Sequence, residues 1–296
     1  MRNDFIAQLI KEARKNKDIF LLNGDLGYSV LEPFKKEFPQ RYVNVGISEQ
    51  NMMGVAAGLA LSGKKVFVYS IVNFLTFRCL EQIRNDVCYH NLDVNLISIG
   101  SGFSYGSQGY THHGIEDISL MNSMPNMRIY SPSNIKELSF LSKIIFKNKN
   151  PKYIRLPRNT LNFKTNKISG FYSLNSNSDV NIISYGEIIS ECVKAVNLSK
   201  KKIGIYSWPS LFNKLDQKKI IKLLKLSKVV IVVEEHIENG GLGLFLTSIK
   251  NKYNLKTKII LANVSKKNYG LIGDRNFLLK KNKINAENIK NILITC

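Results

Sequence analysis

Apolar and polar positions follow two periods along the chain, and the two alternate. Phe5, Leu9, Ile10 and Ala13 recur at helical spacing and predict an amphipathic helix over residues 2–16. Short apolar runs then predict strands at Ile19–Asn23, Tyr42–Val45, Lys65–Tyr69, Val94–Ile99, Met127–Tyr130 and Pro151–Arg158. Between them the pattern predicts helices opening at Glu49, over Cys79–Tyr89, over Glu116–Met121, and over Asn134–Phe146 with Ser133 as cap. Residues 159–178 are polar and irregular, the composition of a linker. From Val180 the alternation restarts, with strands at Asn181–Tyr185, Ile203–Tyr206, Val229–Glu234 and Lys258–Leu261. Helices are predicted at Ile188–Leu198, at Gln217–Leu226, and from the glycine turn Asn239–Gly243 to Ile249. The expected fold class is α/β: two doubly wound domains with mostly parallel sheets.

Bulk composition narrows the picture without deciding it. At 296 residues, 44% hydrophobic and 22% charged, the chain is long enough for one large or two ordinary cores. No apolar run approaches the ~20 residues of a membrane span, so no membrane association is expected. The N-terminus carries acids and lacks a signal peptide's apolar block. Cys79, Cys88, Cys192 and Cys296 form no CxxC pair and read as reduced thiols, which points to a cytoplasmic location. The net charge of +21 invites a nucleic-acid reading. The lysines are spread over the chain without an accompanying recognition motif, so no nucleic-acid partner is expected.

The stretch Tyr42–Ser62, YVNVGISEQNMMGVAAGLALS, organises the rest. A strand runs into the turn Gly46–Ser48, where Ser48 is a good N-cap and Glu49 lies where the helix dipole favours negative charge. Gly54, Ala56, Ala57, Gly58 and Ala60 would let another backbone approach closely, although each glycine costs roughly 1 kcal/mol against alanine. On its residues alone this is a capped helix of a doubly wound domain.

The phrase G-I-S-E-Q-N-M-x-G-x-A-A-G-L-A, however, closely resembles the pyrimidine-binding domain of the transketolase family of thiamine diphosphate enzymes. The resemblance implies that residues 1–160 form that domain, 161–178 a linker, and 179–296 a transketolase C-terminal-like domain with the passage V-V-I-V-V-E-E…G-G-L-G. It implies thiamine diphosphate as cofactor, with Glu49 touching the ring nitrogen of the aminopyrimidine. That chemistry calls for a carboxyl in a dry pocket, where desolvation favours its protonated form and a short hydrogen bond passes the proton to the ring.

Further motifs follow the same resemblance. Gly24-Asp25-Leu26-Gly27 is similar to the family's A-D-L turn near the cofactor, which makes Asp25 a cofactor candidate beside the plainer reading of a strand-to-loop turn. Phe74-Leu75-Thr76-Phe77 resembles the F-L-x-F turn whose aromatics flank the aminopyrimidine. Leu80 stands where a third aromatic is frequent. The glycine-punctuated loop Gly100–Gly114 ends in G-Y-T-H-H-G, similar to G-P-T-H-Q. Its His112 is thereby the histidine facing substrate and moving or sharing a proton, with His113 a second substrate candidate. Two departures stand out. Gln108 replaces the Asp that reads a substrate hydroxyl and remains a substrate-binding candidate, its neutral amide binding a hydroxyl without a carboxylate's charge-assisted strength, and Gly100 falls where a phosphate-binding His is expected. Arg158 aligns with a substrate-phosphate Arg. Adjacent histidines rarely converge on one ion, and no metal ligands are assigned to this chain.

The family's diphosphate-binding domain, with its G-D-G…N signature, is absent from the sequence. The implied partner is an N-terminal transketolase subunit supplying the diphosphate and Mg²⁺ site, in an α2β2 assembly. The implied reaction is transfer of a two-carbon ketol unit between sugars or sugar phosphates, with Glu49 and His112 as the catalytic pair. Alternatives are the beta chain of a 2-oxo-acid dehydrogenase, a deoxyxylulose-phosphate-synthase-like enzyme, or a non-catalytic scaffold subunit.

Overall fold

The computed structural model describes residues 1–158, 168–175 and 178–296. Within them twelve strands form two sheets. They are β1 (Ile19–Asn23), β2 (Tyr42–Asn44), β3 (Lys65–Ile71), β4 (Val94–Ile99), β5 (Arg128–Tyr130), β6 (Lys152–Leu156), β7 (Tyr172–Ser173), β8 (Val180–Ser184), β9 (Gly204–Ser207), β10 (Ser210–Leu211), β11 (Val229–Ile237) and β12 (Lys258–Val264). The first sheet has the order β10-β5-β6-β4-β3-β1-β2 and is parallel except for β10. The second has the order β12-β11-β8-β9-β7 and is parallel except for β7.

The central strands explain this architecture. In β4, VNLISI, every residue is buried, as a strand covered by helices on both faces requires. One face of the first sheet packs Phe67 and Ile97 against Phe5 and Leu9 of the Arg2–Lys15 helix and Leu141 of the Ile135–Lys147 helix. The other face packs Val66, Val68 and Leu96 against Met52, Met53 and Ala56 of the Glu49–Leu61 helix. This second core runs on into the other domain through Trp208, Leu223 and Leu246.

The two sheets are joined by more than apolar contact. β10, contributed from beyond β9, pairs antiparallel with β5 and extends the first sheet. Glu137, fully buried, accepts hydrogen bonds from the Tyr172 hydroxyl at 2.7 Å and from Ser207, both of the second domain. It also accepts from the Ser133 hydroxyl at 2.8 Å.

Several local expectations differ from the structure. The cap of the Ile135–Lys147 helix is Asn134, whose side chain accepts from Glu137 N. Ser133 instead donates back to the Glu137 carboxylate, completing a reciprocal cap. Ser48 occupies the N-cap position of its helix, yet its hydroxyl donates to Val45 O at 2.8 Å and caps nothing. The segment expected as one helix, Cys79–Tyr89, is a short turn at Leu80–Gln82 followed by a π-helix over Ile83–Cys88. Gly54 and Gly58 are exposed, and no atom of the described residues lies within 4 Å of a Cβ built on either. Within 161–178, read as linker, Tyr172–Ser173 forms the edge strand β7; residues 159–167 and 176–177 lie outside the described residues. The C-terminal helices Arg275–Lys281 and Ala286–Thr295 have no counterpart among the elements expected from the sequence pattern.

Candidate active site

Strands β4, β3, β1 and β2 are neighbours, and the loops leaving their carboxyl ends converge on one edge of the first sheet, the usual ligand edge of such sheets. After β2 the chain turns at Gly46 and places Glu49 first in its helix. The Glu49 side chain is 4% exposed. Gly24, after β1, packs beside it: a Cβ there would stand 3.8 Å from Glu49 Oε1. After β3 the Val72–Thr76 helix presents Phe74. After β4 the loop through Gly114 presents His112.

These side chains form a continuous strip. Arg78 Nη1 donates to both Glu49 oxygens at 3.0 Å. Its guanidinium carbon lies 3.8 Å from the Phe74 ring centroid. The Phe74 and His112 rings meet edge to face at 5.1 Å. Tyr105 stands 6.4 Å from His112 on another side, and Arg158 lies 5.8 Å over Tyr105. Thr111 Oγ1 is 2.9 Å from His112 Nδ1, while Nε2 makes no hydrogen bond among the described residues. Partial burial lowers the His112 pKa, and the charges of Arg78 and His113 lower it further. The imidazole is therefore biased toward its neutral form.

The other expected site residues are placed differently. His113 is 1% exposed; its Nε2 lies 3.0 Å from Gly106 O and its ring edge-on to Phe103 at 5.2 Å. Burial lowers its pKa, opposed by Gly106 O and Glu235. Gln108 lies exposed in the turn Gly106–Gln108, outside the strip. Asp25 is exposed with φ +54°, its carboxylate accepting from Asn44 Nδ2 at 3.0 Å and from the Tyr28 hydroxyl at 3.2 Å. Phe77 and Leu80 sit beyond Arg78, where with Gln50 and Glu81 they line a cleft of about 400 Å³. The space beside Gly100 is filled by the Tyr105 ring, which a Cβ there would strike.

Residues outside the expected set hold the site together. The buried pair Arg155–Asp117, 2.7 Å apart, fixes the end of the loop, because Arg155 Nη2 also donates to Gly114 O at 2.7 Å. From the second domain, Glu235 Oε1 accepts from Phe103 N at 2.8 Å and is itself clamped by Arg275, whose Nη2 donates to Oε2 at 2.7 Å. Tyr269 stacks on Tyr110, and a Cβ on Gly106 would strike Gly273 O. The adjacent acids in V-V-E-E mark this region in the sequence, but only the fold divides their roles. Glu234 accepts from Leu242 N and Gly243 N at 2.8 and 3.0 Å, so the glycine turn before that helix is closed by a carboxylate. Among the described residues no group of three or more His, Cys, Asp or Glu is placed to hold a metal ion.

A buried carboxylate beside an aromatic face, with a glycine backbone beneath it, fits a flat ring bearing a hydrogen-bonding edge.

Comparison with known proteins finds two family regions along the chain. The family description "Transketolase, pyrimidine binding domain" matches residues 1–164, and "Transketolase, C-terminal domain" matches residues 172–289. The chain is 32% identical to one of the subunits of the apulose-4-phosphate transketolase of Actinobacillus succinogenes, over 100% of this chain and 97% of that one. It is 31% identical to 1-deoxy-D-xylulose-5-phosphate synthase of Clostridium perfringens, covering 98% of this chain but only 48% of that protein. A solved structure described as a split gene transketolase, inactive beta4 tetramer, superposes with a TM-score of 0.87 at 27% identity, covering 98% of this chain and 95% of that one.

Proposed function

The chain belongs to the transketolase family, as the C-terminal subunit of a split transketolase, and we propose that it serves thiamine diphosphate-dependent transfer of a two-carbon ketol unit between sugars. The observation that carries this reading is the Glu49 carboxylate, buried at the head of its helix and sharing a strip with Phe74 and His112. In this reading Glu49 hydrogen-bonds the ring nitrogen of the aminopyrimidine and holds the proton shared with it. Phe74 offers the ring a face, which is worth roughly 0.5–1.5 kcal/mol beyond burial. When bound, the cofactor supplies a carbon nucleophile and a store for the electron pair of the broken carbon–carbon bond.

His112, biased toward neutrality, is suited to donate to or accept from a substrate hydroxyl or carbonyl oxygen through Nε2. Arg158, exposed at the end of the strip, is assigned to a substrate phosphate, a class consistent with the sugar phosphate in the relative's name. Tyr105 fills the room beside Gly100, so that a second histidine's role there passes to Tyr105 and Arg158. Gln108, His113 and Asp25 act at one remove in this reading, lining or bracing the loops rather than meeting substrate.

The partner is assigned to be the N-terminal subunit, carrying the diphosphate and Mg²⁺ site, in an α2β2 complex. The exposed Gly54 and Gly58 face is the surface we assign to subunit contact. The solved relative is described as an inactive beta4 tetramer, and this chain alone is likewise expected to be inactive. Calorimetric titration of thiamine diphosphate and Mg²⁺ into the chain with and without that partner tests the reading. Saturable binding should require both chains, and equally tight binding by the isolated chain would contradict it.

A further inference from the structure

Arg78 occupies both of the contacts that the proposed function gives to a ring. Its Nη1 satisfies the two Glu49 oxygens at 3.0 Å, and its guanidinium carbon lies 3.8 Å over the face of Phe74. Among the described residues no other side chain pairs with that carboxylate. A guanidinium is planar, stacks on aromatic faces and carries N–H donors along its edge. It therefore presents to this pocket the same shape and the same donors as a protonated or amino-substituted heterocycle.

The two occupants exclude one another, since one face of Phe74 and one carboxylate cannot serve both. The arrangement is also needed while the pocket is empty, because a carboxylate that is 4% exposed without a counter-ion is costly. Arg78 has somewhere to go. Its side chain is 45% exposed, and it borders the cleft of about 400 Å³ whose wall includes Gln50, Phe77 and Glu81, the last a replacement carboxylate.

We propose that Arg78 is the residue that sets how tightly this subunit retains its cofactor, by standing in for the aminopyrimidine on Glu49 and Phe74 until the ring displaces it. The inference rests on the thiamine diphosphate reading. The ring's apparent affinity is the intrinsic affinity multiplied by the fraction of subunits in which Arg78 has swung away. Shortening or flattening the competing contact therefore strengthens binding, the opposite of what removing a ligand-binding arginine does.

The test is calorimetric titration of thiamine diphosphate with Mg²⁺ into the chain assembled with its N-terminal partner, for wild type, Arg78→Leu, Arg78→Lys and Glu49→Gln. Arg78→Leu is expected to bind at least fivefold tighter than wild type. Arg78→Lys, which keeps the charge but loses the planar stack and preserves Glu49's counter-ion for folding, is expected between the two. Equal or weaker binding by both arginine variants overturns the proposal. Glu49→Gln separates the two levels: if it binds as tightly as wild type, the carboxylate is not the ring's partner and the cofactor reading itself falls. If Glu49→Gln loses binding while the arginine variants gain none, only the role of Arg78 falls.

Discussion

Tyr269 of the second domain stacks on Tyr110 of the first, ring centroids 5.4 Å apart and planes within 19°. Tyr110 is two residues before His112, and Phe103 and Gly106 of the same loop are held by Glu235 and Gly273. The second domain thus fixes the loop that carries the histidine. Tyr269→Ala is expected to lower kcat/KM of the assembled enzyme roughly tenfold, about 1.4 kcal/mol, while thiamine diphosphate affinity and melting temperature stay unchanged. Tyr269→Phe, which keeps the stack, should restore the rate.

Asp117 and Arg155 form an ion pair at 2.7 Å with both side chains almost fully buried. Asp117→Ala leaves the Arg155 guanidinium in the interior without its counter-ion. The expected loss is about 3–5 kcal/mol in urea unfolding. Asp117→Asn, which retains a hydrogen-bond acceptor for Arg155 and the Tyr153 hydroxyl, should cost less.

His236 is buried at the domain junction, with Nδ1 2.7 Å from Ile237 O and Nε2 accepting from Ser119 N at 3.4 Å. Burial pushes its pKa down from 6.5 to about 4. The unfolded chain therefore takes up this proton first as pH falls, and the stability His236 contributes is present above pH 6.5 and lost on the way down to about 4. Glu187 and Glu234, pushed up to about 7 by burial, act in the opposite sense, losing stability as pH rises from 4.5 to about 7. A difference measurement isolates the histidine. The stability gap between wild type and His236→Gln in thermal melts should be wider at pH 7.5 than at pH 5.

His112 is held below its ordinary pKa by partial burial, then by the charges of Arg78 and His113. Arg78→Leu removes the second of these and should raise the His112 pKa. Titration of its ring proton signal by nuclear magnetic resonance reads the shift, and an unmoved or lowered value would contradict the charge coupling.

How much of this is legible in the sequence depends on how local each interaction is. β1 and β4 lie where apolar runs place them, because strands covered on both faces carry their burial in their own residues. The Gln217–Leu226 helix matches its spacing for a similar reason: Ile220, Leu223 and Leu224 alone form its buried stripe. Glu49, Phe74 and His112 stand out in short phrases and share one edge of the sheet. Arg78 does not, since a cation after two phenylalanines resembles any surface residue until Glu49 is seen facing it. His113 is buried because Gly106 and Phe103 fold over it, which no adjacent pair of histidines announces. Glu235 and Tyr269 act on a loop more than a hundred positions earlier, a relation that only the packed domains contain. The glycines of the Glu49–Leu61 helix read as close packing, yet no atom of the described residues lies within 4 Å of a Cβ built on Gly54 or Gly58.

In the proposed function the buried Glu49 carboxylate receives the ring of thiamine diphosphate while another polypeptide holds its charged tail. The most direct measurement is the dissociation constant of thiamine diphosphate, with Mg²⁺, for the chain assembled with its N-terminal partner, wild type against Glu49→Ala. Wild type should saturate and Glu49→Ala should bind at least tenfold more weakly, a loss of about 1.4 kcal/mol or more. Equal affinities for the two proteins would contradict the account.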